Sequence, residues 1–154
     1  MDSLHNMPPK APSTRLNIAV VGLGRMGKRH AKTLLYRVPH ATLVAVCSND
    51  KTELKWAREF FKDSKTEIFS SFDDMLEKDG LQAVWVSTST NVHASMTTAC
   101  INKGLHVLCE KPVSQDLEEV CPVPHCCQQS ARLIKHVFRL APSALLPNKT
   151  RTSK

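Results

Sequence analysis

The chain has 154 residues, 42% hydrophobic and 23% charged, which is enough for one ordinary domain with a real core. Its net charge of +7 is uneven, because residues 1–120 hold 15 Lys and Arg against 14 Asp and Glu, whereas residues 121–154 hold six Lys and Arg and no acid. The composition excludes a membrane span, since no apolar run is long enough, and six scattered positive charges with little aromatic content do not predict nucleic-acid binding.

After residue 15, short apolar runs alternate with amphipathic stretches. Residues 1–15 contain three prolines and no apolar signal segment, which predicts a disordered leader and a cytoplasmic protein. Strands are predicted at residues 16–21, 43–47, 67–69, 82–87 and 105–109. Helices are predicted at residues 25–36, 51–61, 72–78 and 92–103, the last with Asn91 as its N-cap and Gly104 just beyond it. This alternation predicts an α/β fold for residues 16–120, a Rossmann-like doubly wound parallel sheet with helices on both faces.

The alternating pattern stops after residue 119. Pro122 and Pro124 cannot continue a helix, because proline lacks the N–H group and its ring collides with the preceding turn. We expect residues 121–154 to form a basic, irregular tail, with at most one or two amphipathic turns within residues 131–140. The cysteines and the histidine between residues 121 and 127 lack two separated ligand pairs, so we predict no metal site.

A glycine motif, Gly-x-Gly-x-x-Gly, joins the first predicted strand to the first helix at Gly22, Gly24 and Gly27. Gly22 allows the tight turn, Gly24 lets a pyrophosphate approach the backbone, and Gly27 lets the helix pack closely on the strand. The helix start adds free N–H groups and the positive end of the helix dipole. The motif therefore predicts a dinucleotide-binding site.

The residue that reads the ribose of such a cofactor is expected directly after the second strand. That residue is Ser48, whose hydroxyl tolerates or binds a 2′-phosphate, with Lys51 or Arg25 available to neutralise it. This slightly favours NADP. Asp50 lies two residues later, and an acid brought in by the loop would favour NAD, so both cofactors stay open.

Residues 16–117 resemble the N-terminal domain of the glucose–fructose oxidoreductase, inositol dehydrogenase and MocA family. Three segments carry the resemblance in the same order and at the same spacing: GLGRMGKRHA at 22–31, STSTNVH at 87–93, and GLHVLCEKP at 104–112. The resemblance implies an NAD(P)-dependent oxidoreductase that transfers a hydride between nicotinamide and a hydroxyl or carbonyl carbon of a sugar or polyol.

The resemblance also implies individual roles. Lys111 would be the catalytic residue, because an ammonium group beside the substrate oxygen stabilises a developing alkoxide and relays a proton. In the family the Lys–Pro bond is often cis, which Pro112 permits. Cofactor contacts would come from Gly22, Gly24, Arg25, Met26, Gly27, Ser48, Ser87, Thr88, Asn91, His93 and Glu110, with His93 facing the cofactor cleft and Glu110 near the nicotinamide ribose. His30 is interpreted as a packing or surface histidine, and Trp85 as a core residue.

Members of the family continue after the lysine motif into a large β domain that carries the substrate pocket and further catalytic residues, including an aspartate and a histidine. No Asp-x-x-x-His follows Lys111 in this sequence. We therefore expect that C-terminal β domain to be missing and the chain to be a truncated fragment with weak cofactor binding and little activity. The alternative is a non-catalytic dinucleotide-binding module that senses cofactor or binds a partner.

Overall fold

A computed structural model describes residues 15–113 and the backbone of residues 134–136. Nearly all of the predicted leader and most of the predicted tail lie outside these residues. The strands are β1 Leu16–Val21, β2 Ala41–Cys47, β3 Glu67–Phe69, β4 Ala83–Val86, β5 His106–Cys109 and β6 Ile134–His136. The helices are α1 Arg25–Arg37, α2 Lys51–Phe60, α3 Phe72–Leu76 and α4 His93–Asn102, with a single 3-10 turn at Thr90–Val92.

The strands form one parallel sheet in the order β3-β2-β1-β4-β5-β6. From the central strand β1, the chain first adds β2 and β3 on one side and then crosses over to add β4, β5 and β6 on the other. The strand order therefore reverses between β1 and β4. This is the doubly wound Rossmann arrangement that the alternation of elements predicts.

Local chemistry sets where the helices begin and end. The Asp50 carboxylate accepts a hydrogen bond from Glu53 N at 2.9 Å at the start of α2, and Ser71 Oγ accepts one from Asp74 N at 3.3 Å at the start of α3. These caps satisfy N–H groups that have no partner inside the helix. Gly104, just after α4, has a φ of +74°, a conformation that glycine adopts without strain.

Both faces of the sheet are buried, as expected when helices cover a parallel sheet on both sides. Alternate residues of β1 point to opposite faces: Ile18 and Val20 pack toward α1 and α2, and Ala19 and Val21 pack toward α3 and α4. The largest fully buried side chains include Leu23, Phe61, Met75 and Ile101. None of the described helices is long and apolar enough to cross a membrane.

Two sequence predictions about helices and strands are wrong. Asn91 does not cap α4: it lies inside the 3-10 turn, where Val92 N donates to Ser89 O at 3.2 Å, and α4 starts only at His93.

The predicted irregular tail contains β6, which pairs in parallel with β5 from Val107–Ile134 to Cys109–His136. Pairing there satisfies backbone groups that β5 would otherwise leave open at the edge of the sheet, and a local pattern does not reveal it.

Burial controls the reactivity of three cysteines. It raises the pKa of Cys47 to about 11, with a smaller contribution from the Asp74 carboxylate, and that of Cys100 to about 12; it also raises the pKa of Cys109. Because the thiolate is the nucleophile, we expect all three to resist iodoacetamide at mildly alkaline pH in the native protein and to react after unfolding. Mass spectrometry of the digested protein resolves each site, and native labelling as fast as unfolded labelling would contradict the expectation.

Candidate cofactor-binding site

A cleft of roughly 750 Å³ lies at the carboxyl ends of β1, β2 and β4. It coincides with the point where the strand order reverses, which is where open parallel sheets bind ligands. The structure brings eight of the predicted cofactor residues into its lining: Gly22, Gly24, Arg25, Met26, Ser48, Ser87, Thr88 and Asn91. Four other predicted site residues lie outside that lining: Gly27, His93, Glu110 and Lys111.

The three motif glycines meet different surroundings. Gly22 has a φ of +82°, and a Cβ built on it would lie 2.6 Å from Ser87 O in the loop after β4. A Cβ on Gly27 would lie 1.8 Å from Gly22 O, so α1 packs against the preceding turn with no room for a side chain. At Gly24 the nearest atom would be Glu53 Oε1 at 3.5 Å. A side chain at Gly24 would therefore meet only an ordinary van der Waals contact, with another residue of the cleft.

The start of α1 is suited to an anionic ligand. Gly24 offers no side-chain cap, and the first turn of α1 contains no acid, so no side chain competes for its free N–H groups. Ser87 Oγ is buried and has no hydrogen-bond partner among the residues that the structure describes. A glycine without a side chain, free N–H groups and an unpaired hydroxyl in one cleft fit the pyrophosphate and ribose of a dinucleotide. Residues 15–113 hold no group of His, Cys, Asp and Glu that could bind a metal.

Glu53 is a charged cleft residue that the sequence did not reveal. From the first turn of α2 its Oε2 accepts hydrogen bonds from Leu23 N at 2.9 Å and from Ser48 Oγ at 2.6 Å. One carboxylate therefore joins the glycine loop to the end of β2. The sequence does show an acid in the first turn of α2, directly after its N-cap Asp50. That pattern alone does not indicate a binding site, because an acid there also stabilises the helix dipole.

His30 connects α1 to the lysine motif. Its Nε2 lies 2.5 Å from Glu110 Oε1, and its ring stacks on Trp85 with the ring centroids 4.0 Å apart. Glu110 is also held through its backbone, because its N–H donates to Val86 O at 2.9 Å. The His30 side chain is only 13% exposed, so the packing interpretation agrees with the structure and the surface alternative does not.

His93 does not face the cleft, contrary to the prediction. Its side chain is buried, with Nδ1 2.7 Å from Pro112 O and Nε2 3.0 Å from Thr88 O. These contacts join the loop after β4 to the loop after β5. The inward turn of His93 at the start of α4 makes it a positioning residue that holds Thr88 and the Lys111–Pro112 segment.

Lys111 follows β5 at the same edge of the sheet as the cleft. Its side chain is exposed, and it makes no ion pair with any residue between 15 and 113. The Lys111–Pro112 peptide bond is cis. The Glu110 carboxylate is directed to His30, so the two polar residues of the motif have different surroundings.

A family described as an oxidoreductase family with an NAD-binding Rossmann fold, GFO_IDH_MocA, matches residues 16–137. The chain belongs to this family. Its resemblance to the glucose–fructose oxidoreductase, inositol dehydrogenase and MocA family is thereby confirmed.

Curated relatives within the GFO_IDH_MocA family include inositol dehydrogenases. The inositol 2-dehydrogenase of Rubrobacter xylanophilus is 34% identical over 109 residues, which is 71% of this chain and 30% of that protein. The scyllo-inositol 2-dehydrogenase (NAD(+)) of Bacillus subtilis is 35% identical over 106 residues, 68% of this chain and 30% of that protein. The chain thus spans about 30% of the length of these relatives.

Solved structures of GFO_IDH_MocA proteins have the same fold. The scyllo-inositol dehydrogenase of Lactobacillus casei, with NAD(H) and scyllo-inositol bound, is 31% identical and superposes with a TM-score of 0.74. The match covers 80% of this chain and 36% of that structure. Described residues 15–113 are therefore a Rossmann domain of this family in sequence and in architecture.

The glycine surroundings predict opposite outcomes for two alanine substitutions. Gly27→Ala places a Cβ against Gly22 O and should lower the free energy of unfolding by at least about 3 kcal/mol. Gly24→Ala meets only an ordinary van der Waals contact and should cost less than about 1 kcal/mol, the difference between glycine and alanine at an N-cap. Guanidinium unfolding of both variants measures the difference, and equal losses would contradict this account of the glycine loop.

The contacts of His30 predict a stability effect. His30→Ala removes a hydrogen bond to a carboxylate and a stacked ring pair, and should lower the free energy of unfolding by about 2–4 kcal/mol. His40→Ala, at an exposed histidine, is the matched control and should change it by less than about 0.5 kcal/mol. The same denaturant measurement compares them, and similar small effects for both variants would rule out a structural role for the His30–Glu110 pair.

Proposed function

We propose that the chain is the nucleotide-binding part of an NAD(P)-dependent oxidoreductase that acts on a sugar or polyol. The observation that carries the proposal is the bare backbone of Gly24 at an uncapped helix start, in a cleft where the strand order reverses. Names of the relatives support the substrate class, because several are inositol dehydrogenases. The reaction would move a hydride between nicotinamide and a hydroxyl or carbonyl carbon.

Residues of the cleft divide the binding task. The glycine loop and the first turn of α1, with Arg25 and Met26, would hold the pyrophosphate. Ser87, Thr88 and Asn91 lie across the cleft and would contact the nicotinamide half. When bound, the cofactor supplies the hydride chemistry, and the protein's task is to orient it.

Lys111 is the proposed catalytic residue. Its ammonium group would lie beside the substrate oxygen, where positive charge stabilises the alkoxide that forms as an alcohol loses its proton. The cis Lys111–Pro112 segment is held by the contact of His93 Nδ1 with Pro112 O, and Glu110, the residue before Lys111, is held by His30. These contacts support a fixed backbone position for Lys111 at the carboxyl edge of β5.

A non-catalytic dinucleotide-binding module is the second candidate. It is favoured by the exposure of Lys111. A lysine facing water gives weak electrostatic help to a substrate oxygen, because the high dielectric constant screens its charge. Such a module would bind the cofactor, with turnover slow or absent.

Cofactor binding is the first test of the proposal. Calorimetric titration of the full chain with NAD and with NADP should show saturable but weak binding of at least one of them. Gly24→Ala should weaken it about tenfold or more, because the new methyl group occupies the side of the backbone that faces the cleft. Lys55→Ala, on an exposed position of α2, should bind as the wild type does. No binding of either cofactor at millimolar concentration would overturn the proposal.

Turnover separates the two candidates. With a panel of sugars and polyols, we expect the full chain to form reduced nicotinamide very slowly or not at all, because Lys111 faces water. If turnover is measurable, Lys111→Ala should lower kcat by about 10²- to 10⁴-fold with cofactor affinity unchanged, and Lys65→Ala, at another exposed lysine, should have no effect. Turnover that depends on Lys111 favours the oxidoreductase, turnover that survives Lys111→Ala would remove that residue from the mechanism, and binding without turnover agrees with both candidates.

We also propose a cytoplasmic location. Three free thiols are buried in the described part of the chain, Cys47, Cys100 and Cys109, which suits a reducing compartment. Fractionation of cells that express the tagged chain tests this, and its recovery from a secreted or membrane fraction would contradict it.

A further inference from the structure

We propose that the Glu53 carboxylate reads the adenosine ribose of the cofactor and makes this chain prefer NAD over NADP. The inference rests on the proposed function and names a determinant of its cofactor choice. It replaces the slight preference for NADP that Ser48 alone suggests.

The Ser48 hydroxyl is not free to receive a 2′-phosphate. Ser48 is 5% exposed, and its Oγ donates to Glu53 Oε2 at 2.6 Å and accepts from Asp50 N at 3.1 Å. The single hydroxyl hydrogen is therefore already given to a carboxylate. Binding a phosphate through this hydroxyl would first require breaking that bond.

Glu53 supplies the carboxylate that is missing at the position directly after β2, where the chain has Ser48. The N-cap Asp50 accepts from Glu53 N at 2.9 Å, and this fixes Glu53 in the first turn of α2. Its Oε2 bonds to Leu23 N and Ser48 Oγ, whereas Oε1 accepts no hydrogen bond from residues 15–113. That oxygen is also the atom that a Cβ built on Gly24 would approach most closely, at 3.5 Å. A free carboxylate oxygen thus lies in the cleft beside the glycine loop, as an acid that binds ribose hydroxyls must.

The charges in the cleft favour a ribose diol over a ribose phosphate. Its charged lining residues are Asp50, Glu53 and Arg25, so two carboxylates oppose one guanidinium. Lys51, the other cation that could neutralise a 2′-phosphate, is exposed and outside the lining. Ribose hydroxyls donate to a carboxylate, whereas a 2′-phosphate offers close to two negative charges and no donor. Placing it against Glu53 would bring like charges together.

The test compares the dissociation constants of the full chain for NAD and NADP by calorimetry. The wild type should bind NAD about tenfold or more tightly than NADP, and Glu53→Gln should reduce that ratio about tenfold, chiefly by improving NADP binding. Gln keeps an oxygen that can accept from Leu23 N, so the tie to the glycine loop is retained. Glu59→Gln is the matched control: it makes the same change at an exposed position of α2 outside the cleft lining, and should leave the ratio close to the wild-type value.

Each outcome has a distinct meaning. Equal or tighter binding of NADP by the wild type overturns the inference while the proposed function stands. Equal weakening of both cofactors in Glu53→Gln also overturns it, because Glu53 would then only support the loop. If that variant does not fold, the wild-type preference for NAD is measured at increasing salt concentration instead. Salt screens the repulsion between Glu53 and a 2′-phosphate, so the preference for NAD must decrease. A preference that stays constant overturns the inference. Failure of both cofactors to bind removes the proposed function itself, and this inference with it.

Discussion

The contact between α1 and the turn that precedes it determines where the cleft lies and which groups reach it. Because Gly27 has no side chain, the helix rests directly against the carbonyl group of Gly22. That approach places the start of α1 in the cleft, and the same helix then carries His30 to Glu110 beyond β5. One short-range steric condition thus sets the relation between the amino-terminal end of α1 and the loop that bears Lys111.

The walls of the cleft are joined by side chains that bridge loops distant in sequence. Glu53 holds the glycine loop to the end of β2, and His93 holds the loop after β4 to the loop after β5. Side chains with fixed partners lose little further freedom when a ligand arrives, which lowers the entropic cost of binding. The Lys111 side chain has no ion-pair partner among residues 15–113, so no such contact fixes it.

Local patterns predicted the strands well because runs of β-branched residues bounded by glycine or turn residues are short-range signals. The bounds of β1 and β3 agree with the sequence prediction, and the glycine roles follow from spacing alone. The contacts of Glu53 and His30 join residues 30 and 80 positions apart, and no local pattern encodes such pairs. The position of β6 depends on the free edge of β5. Asn91 does not cap α4 because it belongs to a 3-10 turn that precedes the helix.

The central position of β1 affects how the chain is made. β1 is synthesised first, yet one of its two neighbours is β4, whose Ala83 pairs with Ile18. At about 5–20 residues per second, the ribosome needs roughly 3–13 s to reach β4 after β1. During that interval the strand has β2 alone to pair with, and its other edge exposes N–H and C=O groups. Translation speed, and any chaperone that shields that edge, therefore influences how much of the nascent chain escapes aggregation.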